Sequence, residues 1–269
     1  MPYMNIMNKN IYYKEYGSGD PIVFLNGMMM ATNSWSPFTR KLSKDYRTIT
    51  VDLLDQGRSD SSEDSYNIDV QVEFLKQFLH ELNLEKVHLL GTSYGGKVAL
   101  SFATKYPSNI KSLILSNTDS YTTNIMNDIG KGWIYGASTL DSRIFSTLVL
   151  FRSPYIYSYG YYEKNHEEIK SKGKAFDNIL DEEWYKRFKR GIESAKDYNV
   201  YHELKKIKSP TLIISSELDI ITPIGYQNSI YEQIGGSQWI IMKGVGHASM
   251  YEKPEEFLSI VMKFLKENF

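Results

Sequence analysis

The chain has 269 residues, 42 % of them hydrophobic, and a formal net charge of −1. That length suits one large α/β domain or a domain with an insertion, and the near-zero charge argues against nucleic acid or an anionic membrane as partner. Without cysteine there is no disulfide, no thiolate zinc site and no cysteine nucleophile.

The first ten residues, MPYMNIMNKN, have no apolar signal core, and no run approaches the ~18 apolar residues of a membrane span. The expectation is a soluble, cytoplasmic protein. Five scattered histidines show no metal-ligand spacing, so neither a metal nor another cofactor is expected. Residues 3–7 and 11–16 read as a hairpin around Asn8-Lys9-Asn10. Pro21-Ile22-Val23-Phe24-Leu25 is a short apolar run of the kind that forms a strand covered on both faces. It leads into Asn26-Gly27-Met28-Met29-Met30. A glycine at a strand end lets the backbone turn and aim a following N–H at a ligand, which makes Met28 N–H a candidate oxyanion donor; a plain loop is the alternative. Residues 35–42 read as a helix and 46–51 as a strand. The polar loop 52–60 is expected to close the sheet's rim through hydrogen bonds, and no spacing rule makes Asp52 and Asp55 an acid–base pair. Asn67 is the expected N-cap of a helix with the stripe Phe74, Leu75, Phe78, Leu79 and Leu82. His80 falls beside that stripe as a surface or packing residue.

Residues 86–100, KVHLLGTSYGGKVAL, organise the rest. An apolar run of strand length passes through Gly91-Thr92-Ser93-Tyr94-Gly95 into a helix that Pro107 stops. A serine on so sharp a strand-to-helix turn is held in strained geometry with its hydroxyl off the top of the sheet, and the flanking glycines leave room for it. The new helix aims its N-terminal N–H groups at negative charge forming beside that hydroxyl. His88, inside the strand, reads as a core residue rather than a base. After a strand at 110–115, the strand–helix alternation breaks from about 120 to 200. This segment is rich in aromatics, including Trp133, Tyr135, Phe145, Tyr157, Trp184 and Tyr185, and reads as an inserted helical cap (120–200) on a core of 1–119 and 201–269. For any single cap aromatic, packing is favoured over lining a pocket. Strands follow at 211–215 and 237–242, with Pro223 suited to a helix start between them. Pro254 opens a final helix with the stripe Phe257, Leu258, Val261, Met262 and Leu265.

Alternating strands and helices imply a mostly parallel, eight-stranded sheet with helices on both faces. Ligands then gather at the strands' C-terminal ends. Ser93, Asp219, His247 and the Gly27-Met28 turn all follow strands and share that edge. A serine hydroxyl needs a base to become nucleophilic. His247 can take its proton and return it to the leaving group, a carboxylate must hold the imidazole, and Met28 N–H and Tyr94 N–H are the candidate oxyanion donors. Asp219 is preferred as the acid over Asp119 and Glu217, and His247 as the base over His166 and His202, which lie in or beside the cap. Gly246 and Ala248 are read as leaving room for a mobile imidazole.

On Asn26-Gly27, Asp52…Gly57…Ser59, Gly91-Thr92-Ser93-Tyr94-Gly95-Gly96, Asp219…Thr222-Pro223 and Gly246-His247, the chain resembles the α/β-hydrolase superfamily. The likeness is to its cap-bearing branch of carboxylesterases, enol-lactonases, carbon–carbon bond hydrolases and cofactor-free haloperoxidase-type enzymes. The family commonly has histidine where Asn26 stands, which is expected to alter the pocket wall. The serine nucleophile argues against haloalkane dehalogenases and epoxide hydrolases. The resemblance implies acyl hydrolysis through an acyl-enzyme. Met28 to Met30 and the aromatic cap suggest a small or medium, largely apolar ester. Lactonase, thioesterase, or a triad-retaining small-molecule receptor remain alternatives. A monomer or homodimer is expected.

Overall fold

The computed structural model describes residues 2–148 and 155–268; Met1, residues 149–154 and Phe269, which belong to the expected core and cap ranges, lie outside the described residues. Eight strands form one sheet in the order β1-β2-β4-β3-β5-β6-β7-β8. β1 (Tyr3–Ile6) and β2 (Lys9–Tyr16) run antiparallel, while β3 (Pro21–Leu25), β4 (Arg47–Asp52), β5 (Val87–Thr92), β6 (Ile110–Ser116), β7 (Thr211–Ser216) and β8 (Gln238–Met242) are mutually parallel. The eight-stranded, mostly parallel sheet is the one the alternation predicts. The hairpin turn differs from expectation. It is the two-residue Met7-Asn8, both at positive φ, with Ile6 opposite Lys9. That is the backbone pattern of a type I′ turn, whose twist matches the flanking strands. Asn8 suits it and Met7 does not, which is why the sequence points one residue too far along.

The central strands are apolar throughout because both faces are covered. Val23, Leu25, Leu89, Leu113 and Ile213 pack beneath α2 (Ile68–Glu81) and α3 (Tyr94–Lys105). The alternate residues Ile22, Phe24, Leu90, Ile114, Leu212 and Ile214 pack on the opposite face with Phe38 and Leu42 of the N-terminal helix at Ser36–Leu42, hereafter α1, and with the last helix (Pro254–Glu267). The period of two along each strand thus sorts one apolar run into two cores. Asn67 does precede α2, but its side chain accepts no hydrogen bond from the helix.

Between β6 and β7 the chain forms α4 (Asn124–Ser138), α5 (Ser142–Leu148), α6 (Tyr159–Asp177) and α7 (Glu182–Ser194). Phe145 packs edge-on against Trp184, Tyr185 and Phe188, and Trp184 stacks on Phe188. These four rings therefore hold the helices to one another; Trp133, which also packs on Phe188, and Tyr157, stacked on Tyr161, border a cavity as well. α7 is tied to the core. Arg190 makes two hydrogen bonds to Asp55 at 2.8 and 2.9 Å, and Arg187 donates to Ser59 O at 2.9 Å. α8 (Ile224–Gln233), the short α9 (Ser249–Glu252) and α10 (the Pro254–Glu267 helix) complete the chain. Among the described residues no helix is long and apolar enough to cross a membrane.

Candidate active site

The strand order reverses between β3 and β5, which sends their following connections to opposite sides and opens a crevice at their C-terminal ends. Ser93 stands at the top of β5 with φ 50° and ψ −116°. An L-residue reaches that conformation only where its surroundings impose it. Ser93 N–H donates to Ser116 O at 2.9 Å, Thr118 Oγ1 donates to Ser93 O at 2.8 Å, and Gly96 N–H also donates to Ser93 O at 2.9 Å. The glycines on either side leave no alternative residue: a Cβ on Gly91 would collide with Gly95 O, and one on Gly95 with Leu25 O.

His247 follows β8, and its Nε2 lies 3.1 Å from Ser93 Oγ. Its Nδ1 lies 2.8 Å from Asp219 Oδ2, after β7. Asp219 also accepts from Ile221 N–H at 2.8 Å and Thr222 N–H at 2.9 Å on Oδ1, and from Thr222 Oγ1 at 2.8 Å on Oδ2. Four donors on a buried carboxylate fix its orientation. The distances run unbroken from carboxylate to imidazole to hydroxyl.

The rival acids are engaged elsewhere. Glu217 accepts from Lys243 Nζ and Gly244 N–H, each at 2.9 Å, and these bonds lower its pKa. Asp119 is fully buried and pairs with Lys97; burial raises its pKa, against the opposing pull of that ammonium. His166 sits on α6 beside Glu167, and His202 on the turn at Tyr201–Lys206. His88 is buried with Nδ1 2.7 Å from Ser112 Oγ, and burial lowers its pKa to about 4.

Met28 N–H and Tyr94 N–H have no hydrogen-bond acceptor among the described residues. Tyr94 is the first residue of α3, so its N–H is one of the donors that a helix start leaves free. Met28 lies inside a tight turn closed by Met30 N–H donating to Gly27 O at 3.2 Å, with Met29 at φ 63°. Tyr94 also holds α7. Ser194 Oγ donates to Gly191 O at 2.7 Å, so the Tyr94 hydroxyl, 2.9 Å away, donates to Ser194 Oγ. Burial pushes this phenol up to about 12.

Asn26 does not form pocket wall. It is buried, and its amide donates to Val51 O at 3.0 Å and Asp52 Oδ1 at 2.9 Å, while its oxygen accepts from Trp35 Nε1 at 2.8 Å. It ties the end of β3 to the end of β4 and so fixes the start of the Gly27-Met28 turn. Asp52 accepts from Thr32 N–H at 2.7 Å and Arg58 N–H at 3.1 Å, which braces the rim loop as expected. Asp55 also braces the loop, accepting from Ser62 N–H at 3.0 Å, and in addition reaches α7. Gly246 does not free the imidazole: a Cβ there would lie 2.7 Å from Ser158 N, so the glycine serves close backbone contact. Sequence reasoning also missed Asn117. Its amide donates to His247 O at 2.7 Å and Ser216 Oγ at 2.9 Å, and its φ of 45° is one that asparagine tolerates. An asparagine just past β6 was its only signal.

Ser93, His247, Met28 and Tyr94 border a cavity of about 650 Å³ between the sheet edge and the inserted helices. Met28, Met29, Met30, Met126, Trp133 and Ile192 make much of its wall apolar. The site can therefore hold a small or medium apolar group against a hydroxyl backed by an imidazole and a carboxylate.

A family model described as the alpha/beta hydrolase fold matches residues 20–254. The chain is 28 % identical to a proline iminopeptidase of Lactobacillus acidophilus, over 98 % of this chain and 97 % of that protein. It is 35 % identical, with a TM-score of 0.94, to MGS-M2, an alpha/beta hydrolase enzyme from a Medee basin deep-sea metagenome library, over 98 % and 97 % of the two chains. The enol-lactonase of Burkholderia xenovorans aligns with a TM-score of 0.88 at 21 % identity, over 98 % of this chain and all of that one, a likeness of fold.

Proposed function

The chain belongs to the α/β-hydrolase fold family, and from that premise we propose that it is a serine hydrolase cleaving a small-to-medium, largely apolar carboxylic ester through an acyl-enzyme. Ser93 attacks the acyl carbon while His247 Nε2 takes the hydroxyl proton. Asp219 holds the ring through Nδ1 and stabilises the imidazolium. Met28 N–H and Tyr94 N–H receive the oxyanion; each such donor is worth about 3–4 kcal/mol of barrier. His247 returns the proton to the departing alcohol, then activates the water that releases the acid. Residues 120–200 act as a cap that shields the acyl group from solvent.

The observation that carries this reading is the chain of contacts at the cavity floor, 3.1 Å from Ser93 Oγ to His247 Nε2 and 2.8 Å from Nδ1 to Asp219 Oδ2. The test is labelling with a serine-directed fluorophosphonate, followed by turnover of short-chain aryl esters. Ser93→Ala is expected to lose both labelling and turnover with its unfolding midpoint unchanged; full activity in that variant overturns the proposal. Sustained release of the chromophore marks an enzyme, and a single burst marks a receptor that stays acylated.

A second reading, an aminopeptidase like the Lactobacillus relative, draws on Glu193 of α7, which borders the same cavity and has the charge to pair with a substrate's ammonium. Faster hydrolysis of a prolyl anilide than of any aryl ester would favour it.

A further inference from the structure

Glu252 lies on α9, just past His247, and takes no part in the proton transfers. Its Oε1 accepts from Gly246 N–H at 2.9 Å and from Ser158 N–H at 2.9 Å, and its Oε2 accepts from Ser158 Oγ at 2.5 Å. Ser158 lies in the inserted segment, immediately before α6. On the other side of the imidazole, Ala248 N–H donates to Ile156 O at 3.0 Å. Residues 156–158 are thus joined to the histidine loop directly before and directly after His247. No side chain intervenes, because the Gly246 backbone runs against that of Tyr157 and Ser158. Ile156 and Tyr157 also border the cavity.

We infer that Glu252 is a positioning residue, which orients the His247 imidazole by clamping its loop to Ser158 of the inserted segment. The inference rests on the serine-hydrolase reading, with His247 as the base. A carboxylate suits the task because two N–H groups converge on one oxygen and a hydroxyl on the other, and charge strengthens all three bonds. Loosening the clamp lets the ring drift, and a misplacement of about 1 Å in a reacting group costs up to about 100-fold in rate. Ground-state binding depends on the cavity wall and changes far less, so the loss appears in kcat rather than KM.

The experiment compares Glu252→Ala, Glu252→Gln and Ser158→Ala, singly and with Ser158→Ala added to Glu252→Ala, using aryl-ester kinetics and the rate of fluorophosphonate labelling. Glu252→Ala is expected to lower kcat and the labelling rate together, by about 10- to 100-fold, with KM nearly unchanged. Glu252→Gln restores most of the rate, since its carbonyl oxygen still accepts both N–H groups and its amide can donate to Ser158 Oγ. Ser158→Ala lowers kcat modestly in the parent and not at all in Glu252→Ala, because the two residues form one unit. Parental kcat in Glu252→Ala, or Ser158→Ala effects that simply multiply, would overturn the inference. If Glu252→Ala does not fold, Ser158→Ala decides: a fall in kcat at constant KM supports the clamp and an unchanged kcat refutes it. A parent that takes no label overturns both readings at once, whereas a labelled, active parent with an indifferent Glu252 overturns only this one.

Discussion

The tie between α7 and the core offers a measurable test of what holds the inserted helices in place. Asp55 is almost wholly buried, with 2 % of its side chain exposed, and Arg190 opposite is 14 % exposed. Asp55 adopts φ 63°, so an alanine there would mix lost charge with backbone strain. An asparagine would not, since that residue type tolerates the conformation. The perturbation is therefore Asp55→Asn, which removes the charge, leaves the shape and turns an amide toward the guanidinium. Breaking a buried ion pair by neutralising one partner costs about 3–5 kcal/mol. Arg190 keeps a weaker contact to Glu183 at 3.3 Å and some solvent, which puts the expected loss near the lower bound, about 3 kcal/mol. At about 2–4 °C per kcal/mol for a chain of this size, the unfolding midpoint falls by roughly 6–12 °C. Thermal unfolding followed by circular dichroism measures it. Adding Arg190→Met to Asp55→Asn should recover part of the loss, because the cost lies in the orphaned charge. A midpoint within about 2 °C of the parent for Asp55→Asn, less than 1 kcal/mol on the same scale, would refute the argument that this pair anchors α7.

Two further expectations follow from buried ionisable groups. His88 has its pKa lowered from 6.5 to about 4 by burial, reinforced by Lys111 and opposed by Asp20. The unfolded chain therefore binds a proton that the folded chain refuses between those values, so the native state has its full stability above pH 6.5 and loses it as pH falls toward 4. At ~1.36 kcal/mol per pH unit the loss is about 3 kcal/mol, and urea titrations of His88→Gln should show a flatter acid limb than the parent. Lys97→Met strands the buried carboxylate of Asp119, whose Oδ2 has no hydrogen-bond partner among the described residues. It should cost about 3–5 kcal/mol at pH 7. Because burial raises the pKa of Asp119, the folded variant binds the extra proton and regains stability as pH falls; a pH-independent deficit would count against this account.

What was legible in the sequence was local. The apolar runs at β3, β5 and β7 and the turn around Ser93 are readable because a strand covered on both faces and a glycine-flanked serine each constrain neighbouring residues. The positions of Asp219 and His247 follow from the sheet's parallel sense, which sends every strand's end to one edge. What was illegible depends on partners far apart in the chain. Asp55 meets Arg190 across 135 positions, and nothing near either residue announces the other. Asn26 is illegible because residue type does not reveal direction: its side chain turns inward to Trp35 and Asp52 and not to the pocket wall. The inserted segment's aromatics could not be sorted either, since a ring that packs and a ring that lines a cavity look alike in sequence. Asn67 has the right chemistry for a cap, yet its side chain makes no capping bond.

The strand order also sets when the site comes into being. Ser93 and its strained turn are in place once β3, β5 and β6 have met, but the imidazole arrives 154 positions later, behind β8 at the sheet's far border. A chain cut before β8 would keep the turn and its hydroxyl but not the imidazole that stands 3.1 Å from it. On the proposed mechanism, such a fragment has a nucleophile without its base.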